Sequence, residues 1–291
     1  MMPPRLLESS SIVGALWMFG AVTSFTMLSL VGRELSGDLN AFQIMLYRSA
    51  VSLLIVAVIL ALGGRGERGF AQLRTSIPGF HLGRNVVHYV GQYSWFYVLP
   101  LLPLVQITAI DFSMPIWALL LAAAFLGERL TGRRIVAVLL GFCGVLVVLR
   151  PGVDSFEPAA LIVLGASFCY AATFIITKRM TATETPLAIL FYMFLVQLLI
   201  GLAPALPGLV VPELDRWPWV IAVGVSGLAA HYCVTRAFIV AEASVVIPVD
   251  FLRLPAVGVA AWLLYGESGE IWHVAGAGLI VLGIWINIRS R

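Results

Sequence analysis

The side chains of this sequence best placed to do chemistry are charged groups that lie inside long apolar runs. These groups are Arg48, Arg84, Asp111, Arg236, Asp250 and Arg253. A charge near the centre of a membrane-spanning helix costs at least about 2.5–3.5 kcal/mol on insertion scales, so such groups normally face the protein interior and pair. Their placement indicates either structural ion pairs or a polar path for a solute.

A polar stripe marks the third apolar segment of the chain. Five polar side chains recur there at intervals of three, four, four and three residues, which places them on one helix face. The stripe consists of His81, Arg84, His88, Gln92 and Trp95, and it is flanked by Tyr89 and Tyr93. Because burying such groups in lipid is very costly, the stripe either packs against other polar helices or lines a water-filled cavity. We expect the cavity.

Depth and spacing suggest two charge pairs. Asp111 and Arg48 lie at similar depths on two segments, which makes a pair between them possible. Asp250 and Arg253 are three residues apart and are therefore neighbours on one helix face. Either pair can lock the helices together or handle a ligand. Asp111, Asp250 and His88 are also candidate proton carriers.

The composition requires a membrane. Hydrophobic residues make up 60% of the 291 residues and charged residues 11%, against about 45–50% and 25% in soluble domains. Apolar runs of about 20 residues must be helices in a bilayer, because their backbone polar groups need partners. We predict an all-α integral membrane fold with ten spans, at 12–31, 41–62, 80–99, 103–126, 135–149, 159–177, 186–206, 219–240, 243–265 and 271–288.

The basic residues near the segment ends predict the orientation. Eleven lie at one set of ends and three, Arg33, Arg150 and Arg216, at the other. Because cytoplasmic loops carry the excess of Lys and Arg, both termini are predicted to lie in the cytoplasm. Arg84 and Arg236 then lie near cytoplasmic ends, where their head groups can extend to the interface.

Two halves of the chain resemble each other. A shift of 139 residues pairs Asp-Phe and Gly-Glu dipeptides, and a shift of 145 pairs residues of the earlier segments. The paired positions include Tyr93 with Tyr232, Asp111 with Asp250, Phe112 with Phe251, Gly127 with Gly266, Glu128 with Glu267, Gly144 with Gly283, and Arg33 with Lys178. Each half, 1–150 and 151–291, holds five segments, so the second half is predicted to insert upside down. Inverted repeats place a solute site near the bilayer midplane.

Several classes of function lack support in the sequence. The net charge is only +3 and the arginines are dispersed, which argues against nucleic-acid binding. HExxH, GxSxG, CxxC and nucleotide-binding motifs do not occur, so we predict no catalytic residues, no cofactor and no metal site. Cys143, Cys169 and Cys233 lie in apolar runs and are interpreted as small buried hydrophobic residues.

The ends of the two halves carry a family resemblance. They read IDFSMPIWALLLAAAFLGERLTGRRIVAVLLGFCGVLVVL and VDFLRLPAVGVAAWLLYGESGEIWHVAGAGLIVLGIWI. The chain resembles the EamA-type branch of the drug/metabolite transporter superfamily, whose pattern is matched by Pro115, Gly127, Glu128, Gly144, Gly266, Glu267 and Gly283, with Pro255 displaced by one position. The resemblance implies a central cavity lined mainly by segments 3, 4, 8 and 9 with help from segments 1 and 6, and secondary transport of small organic solutes.

The leading hypothesis is a secondary transporter in the bacterial cytoplasmic (inner) membrane, moving a small polar or zwitterionic metabolite of the amino-acid or nucleoside-like class. The alternative is a lipid or lipid-linked sugar flippase, which needs a groove open to lipid; a membrane enzyme, sensor or channel fits less well. The expected partners are the solute and the bilayer, in a monomer or homodimer. Candidate solute-binding residues are His88, Tyr89, Gln92, Tyr93, Trp95, Asp111, Tyr232, Asp250 and Arg253, and candidate charge-pair or coupling residues are Arg48, Arg84, Asp111 and Asp250.

Overall fold

The regular secondary structure of the described residues is entirely helical. The computed structural model describes residues 4–288 apart from 64–68, 127–131, 150–156, 242–245, 247–248 and 268–270. Its helices are α1 (Pro4–Leu35), α2 (Ala41–Leu62), α3 (Pro78–Val98), α4 (Leu104–Asp111), α5 (Met114–Leu126), α6 (Gly132–Leu149), α7 (Ala159–Met180), α8 (Pro186–Ala205), α9 (Trp217–Val240), α10 (Arg253–Tyr265) and α11 (Ile271–Ile288). Gly127, Glu128 and several basic residues that predict the orientation lie outside the described residues: Arg65, Arg68, Arg129, Arg150, Arg289 and Arg291.

Five helices in the described part are long and apolar enough to cross a membrane. They occupy Ile12–Leu35, Ala41–Leu62, Ala159–Met180, Pro186–Ala205 and Leu214–Val240. Helix α3 has 21 residues but carries the polar stripe, and segments 4 and 9 contain shorter helices. An integral membrane fold follows from these helices, and the count of ten spans stays a prediction.

Segment 4 is not the single helix that the sequence predicted. It divides at Phe112 and Ser113 into α4 and α5. Pro115 has no backbone N–H, so it cannot donate to the carbonyl of Asp111 four residues earlier. The chain instead restarts with the N–H of Ile116 donating to the carbonyl of Ser113 at 3.0 Å. The break leaves Asp111 at a helix end in the interior of the protein.

The corresponding position of the second half also lies outside regular α-helix. Residues Asp250–Leu252 form a 3₁₀ turn, and α10 begins only at Arg253. Asp250 is the residue paired with Asp111 by the 139-residue shift. Both buried carboxylates therefore lie where regular helix stops, a feature that often lines the solute sites of transporters built from repeats.

The helix contacts repeat between the two halves. Helix α1 packs on α9, and its repeat equivalent α7 packs on α3. In the same way α2 packs on α9 as α8 packs on α3, and α1 packs on α10 as α7 packs on α5. The pairs α2–α8 and α6–α11 join equivalent helices directly. Each of the halves thus contributes the same helices to the interface between them.

The three cysteines are free thiols. Cys169 and Cys233 are half-buried, but Cys143 is exposed on α6. The interpretation of all three as buried residues is therefore wrong for Cys143. Position within an apolar run does not distinguish a helix face turned to the protein from one turned outward, because lipid tolerates a small hydrophobic side chain as readily as the core does.

Candidate functional site

A cavity lies where α1, α3, α7, α9 and α10 meet. Its aromatic wall consists of Phe25, Trp95, Tyr170 and Phe174, and its polar lining consists of Ser29, Gln92, His231, Asp250 and Arg253. Aromatic surfaces combined with a few polar groups are typical of a site that orients an organic ligand.

The charged centre of the cavity is one guanidinium shared by two carboxylates. Arg253 Nη2 donates to Asp250 Oδ2 at 3.0 Å, and Arg253 Nη1 lies 4.0 Å from Asp111 Oδ2. Asp111 and Asp250 are both almost fully buried. Asp250 and Arg253 are neighbours on one turn as their spacing predicted, whereas the pair between Asp111 and Arg48 is wrong. We call Asp111, Asp250 and Arg253 the charged triad.

Aromatic rings surround the cation of the triad. The guanidinium carbon of Arg253 lies 5.3 Å from the ring centroid of Phe25 and 5.7 Å from that of Phe112. Such contacts attract a cation through the ring quadrupole, more strongly when water is excluded. Arg253 is therefore held by two carboxylates and two rings while its side chain keeps 12% of its surface exposed.

Trp95 ties the polar stripe of α3 to the triad. Its indole Nε1 donates to Asp111 Oδ2 at 2.9 Å. This bond gives the buried indole N–H a partner and fixes the orientation of the carboxylate. Beside it, the hydroxyls of Ser113 and Ser167 lie 2.6 Å apart, which links the helix break to α7. Within the described residues, Asp111 Oδ1, Asp250 Oδ1 and Arg253 Nε have no hydrogen-bond partner.

A second polar group lies away from the triad, around Arg48. Arg48 Nη1 donates to Gln197 Oε1 at 3.0 Å, and Gln197 Nε2 lies 2.5 Å from His88 Nδ1. The ring of His88 meets that of His231 edge-on, with centroids 4.8 Å apart. His231 in turn lies against Phe25, with centroids 5.4 Å apart. Polar contacts and rings thus run from Arg48 to the cavity wall.

The other end of the stripe packs against polar groups of α7 and its following turn. Arg84 Nε donates to Thr177 Oγ1 at 3.1 Å, and Arg84 Nη1 donates to Asn85 Oδ1 at 2.8 Å. His81 Nε2 lies 3.6 Å from the carboxylate of Glu184. Arg84 is buried, so the alternative in which it extends to the interface is wrong for this residue. The expectation of a cavity along the stripe therefore applies to Gln92 and Trp95 and not to its His81 end.

The three predicted tyrosines contact other regions. Tyr89 is buried with its hydroxyl directed at Gly201 of α8, and Tyr93 stacks on Phe42 with ring centroids 4.3 Å apart. Tyr232 contacts Trp17 edge-on at 5.9 Å. The repeat pairing of Tyr93 with Tyr232 therefore does not bring these side chains into the lining of the described cavity.

The sequence did not single out several residues that the fold brings to the site. Phe25, Tyr170 and Phe174 form much of the aromatic wall, and Gln197 joins Arg48 to His88. The aromatic residues lie in apolar runs and carry no distinguishing pattern. Gln197, a polar residue in the apolar run of α8, carried a signal of the same kind as the buried charges.

Comparison with known proteins identifies the family of this architecture. Residues 12–150 and 157–289 each match the EamA-like transporter family. The chain belongs to the EamA-like transporter family. The two matches together span nearly the whole sequence, and the resemblance predicted from the Gly-Glu and mid-helix proline pattern is confirmed.

Individual relatives of this EamA-like chain are named as transporters. The riboflavin transporter of Vibrio cholerae serotype O1 is 30% identical over 296 residues, covering 98% of this chain and 97% of the relative. The S-adenosylmethionine uptake transporter of Rickettsia bellii is 26% identical, covering 96% of this chain and 94% of the relative. These names support transmembrane transport of a small molecule.

A solved crystal structure shares the fold. It matches with a TM-score of 0.73 over 96% of both chains at 18% sequence identity. This likeness concerns the helix arrangement alone, because so low an identity does not carry a function across.

Proposed function

We propose that this EamA-like protein is a secondary transporter for a polar or zwitterionic metabolite that carries a planar ring, of the amino-acid or nucleoside-like class. The observation that carries the proposal is the charged triad beside an aromatic cavity, which Asp250 and Arg253 line, with Arg253 between Asp111 and Asp250. A structural lock alone does not need a cavity beside it. Buried polar groups that line a cavity are typical of a recognition site.

The charges of the triad support recognition of a cationic or zwitterionic group. Two carboxylates face one guanidinium, so the three groups together carry one excess negative charge when ionised. A cationic group of the solute would offset that charge at the carboxylates, while Arg253 would hold a carboxylate or other acceptor of the same solute. Gln92 and Ser29 offer neutral hydrogen bonds on the same cavity wall.

The aromatic wall supports a ring on the solute. Trp95, Tyr170 and Phe174 line the cavity, and aromatic side chains stack on planar rings. Riboflavin and S-adenosylmethionine, the compounds in the names of two relatives, each combine a planar heterocycle with a polar chain. A solute of that general form would match its ring to the aromatic wall and its polar chain to the charged triad.

The proposed architecture is ten spanning helices in two inverted halves, 1–150 and 151–291, with both termini in the cytoplasm of a bacterium and the site reached by alternating access. Two equivalent contacts support it, because α1 of the first half packs on α9 of the second, and α7 of the second half packs on α3 of the first. So do the helix interruptions at the equivalent carboxylates Asp111 and Asp250. The protein would act as a monomer or homodimer in the inner membrane.

The test is ligand-dependent stabilisation followed by flux. A thermal-shift screen of purified protein against ring-bearing amino-acid derivatives, nucleosides and flavins should find a compound that raises the melting temperature through binding linkage. Liposomes containing the protein should then take up that compound, and Asp111→Asn should abolish uptake without unfolding the protein. Unchanged uptake by Asp111→Asn would remove Asp111 from the mechanism, and movement of lipid-linked sugars instead of soluble compounds would favour the flippase.

A further inference from the structure

Arg33, near the end of α1, binds the turn that joins α3 to α4. Its Nη1 donates to the carbonyl oxygen of Leu99 and, at 2.7 Å, to that of Leu102. Carbonyls at the end of a helix lack intrahelical donors, so a guanidinium satisfies them well. All of these groups belong to the first half of the chain, which means that Arg33 is fixed within its own half.

Glu267 reaches the same place from the second half. Its Oε1 lies 3.5 Å from Arg33 Nη2, and its Oε2 accepts a hydrogen bond of 3.1 Å from the backbone N–H of Leu104. Leu104 is the first residue of α4, so the carboxylate also interacts favourably with the positive end of that helix. We call Glu267, Arg33 and the Leu104 amide the latch.

The backbone conformation of Gly266 sets the direction of the Glu267 side chain. It ends α10 with φ of 64°, in the left-handed region that glycine adopts without a steric penalty. The N–H of Glu267 then donates back to the carbonyl of Ala261 at 3.3 Å, a closure that resembles the usual C-terminal cap of a helix. The Gly-Glu dipeptide therefore does more than stop α10, because it turns an acidic side chain toward the first half.

The basic part of the latch occurs twice in the chain. Lys178, the repeat equivalent of Arg33, donates to the carbonyls of Phe238 and Ala241 at 2.6 and 3.0 Å. Phe238 and Ala241 are the equivalents of Leu99 and Leu102 under the 139-residue shift. The equivalent of Glu267 is Glu128, which lies outside the described residues. Two unrelated surface contacts would not be expected to reproduce both acceptor positions.

We propose that Glu267 is the moving part of a gate that closes the cavity from the end of the molecule bearing Arg33, and that it leaves Arg33 and Leu104 when the protein opens to that side. The inference rests on the proposed transport by alternating access. Rocking of one half against the other separates contacts between halves and preserves those within a half. Arg33 accordingly stays on Leu99 and Leu102, and the carboxylate moves.

Helix α10 connects this gate to the site. The helix begins at Arg253 of the charged triad and ends at Tyr265, two residues before Glu267. Tyr265 adds a second contact between halves, with its hydroxyl donating to Glu34 Oε1 at 3.2 Å. Binding of a solute at Arg253 and release of Glu267 are therefore events at the two ends of one 13-residue helix, which can move as a unit.

Accessibility of the cavity tests the gate without any solute. In a variant with all three cysteines replaced by alanine, Ser29→Cys places a thiol in the cavity wall. Its labelling rate by a membrane-impermeant maleimide is measured from the Arg33 side, in right-side-out vesicles under the proposed orientation. Glu267→Gln should raise the rate about tenfold, the shift expected from losing one charge-assisted contact in a two-state equilibrium. Glu267→Ala, which also removes the acceptor for the Leu104 amide, should raise it further.

Two controls separate gating from general loosening. Asp38→Asn removes an exposed ion pair with Arg216, 3.0 Å long, that also joins the halves at this end, and it should leave the rate unchanged because exposed pairs contribute little. Ser52→Cys reports unfolding, since Ser52 is fully buried between α2 and α9. A rate in both Glu267 variants equal to that of the parent, or equal to that of Asp38→Asn, overturns the proposal. If the Glu267→Ala substitution also makes Ser52→Cys reactive to the maleimide, that variant has loosened, and the proposal is judged on the Glu267→Gln variant alone. Because the labelling experiment uses no solute, its result stands even if no transported solute is found.

Discussion

The two ends of the α3 stripe differ although the sequence presents them as one pattern. At one end Trp95 donates a hydrogen bond to Asp111 and, with Gln92, lines a cavity that Asp250 and Arg253 of the charged triad also line. At the other end Arg84 and His81 are buried against side chains of α7 and the turn after it. Equally buried polar groups therefore serve different roles. Beside a cavity they are placed to bind a solute, and where protein groups fill the space they hold helices together.

The difference lies in the partners and not in the stripe. Near His81, the carboxylate of Glu184 also accepts a hydrogen bond of 2.7 Å from Thr75 Oγ1, so it is held by two residues of the first half. Near Trp95, Asp250 and Arg253 line the cavity instead of being enclosed by protein groups. Buried polar atoms without a hydrogen-bond partner among the described residues occur at both ends, Asp111 Oδ1 and Asp250 Oδ1 at one and the ring nitrogens of His81 at the other, so the cavity makes the difference. We expect variants at the triad to affect transport first, and variants near His81 to affect stability first.

The largest effect is expected from Arg253→Gln. Removing the only cation in contact with Asp111 and Asp250 within the described part leaves two buried carboxylates together, and breaking a buried pair typically costs about 3–5 kcal/mol. Solute flux in liposomes should fall at least about 100-fold, in line with roughly 1.4 kcal/mol per tenfold. The melting temperature in detergent should fall as well.

The matched control for that variant is Asp250→Asn combined with Arg253→Gln. Removing one negative charge together with the cation should restore much of the melting temperature but not the flux. Recovery of both quantities in the double variant would make the triad a structural lock, and the contrast with the His81 end would disappear.

An intermediate effect is expected from Trp95→Phe. The ring remains in the cavity wall, but the hydrogen bond to Asp111 is lost, and a bond to a charged acceptor contributes about 1.5–3 kcal/mol. The apparent affinity for the solute should weaken roughly tenfold. Tyr93→Leu serves as the comparison, because Tyr93 stacks on Phe42 away from the cavity. The affinity of the Tyr93→Leu variant for the solute should stay near that of the parent. Equal losses in the two variants would mean that this wall does not contact the solute.

The smallest effect, and one on stability alone, is expected from Glu184→Gln. The amide keeps an acceptor for Thr75 but loses the charge that faces His81. A loss of about 1 kcal/mol corresponds to a decrease of roughly 2–4 °C in melting temperature. Ligand titration should give an unchanged dissociation constant. A clear weakening of binding would show that the two ends of the stripe act as one unit.

Much of the site was accessible to sequence reasoning because charges in apolar helices are rare and costly. Asp111, Asp250 and Arg253 were found in this way, and Gln92 and Trp95 were found from the helical spacing of the polar stripe. The partner of Asp111 was not, since depth along a helix does not specify the direction in which a side chain points. The aromatic residues Phe25, Tyr170 and Phe174 escaped because rings are ordinary in helices that face lipid.

The sequence by itself indicated the membrane environment, the family, the matching positions of the two halves and most of the buried charges, because each follows from composition or from residue patterns read along the chain. Tertiary structure alone decided that Arg253 also reaches Asp111, that Arg48 pairs with Gln197, and that Glu267 reaches Arg33. These contacts join helices far apart in the chain. Periodicity gives the face of a helix, but the helix that meets that face is selected by the combined fit of all the others.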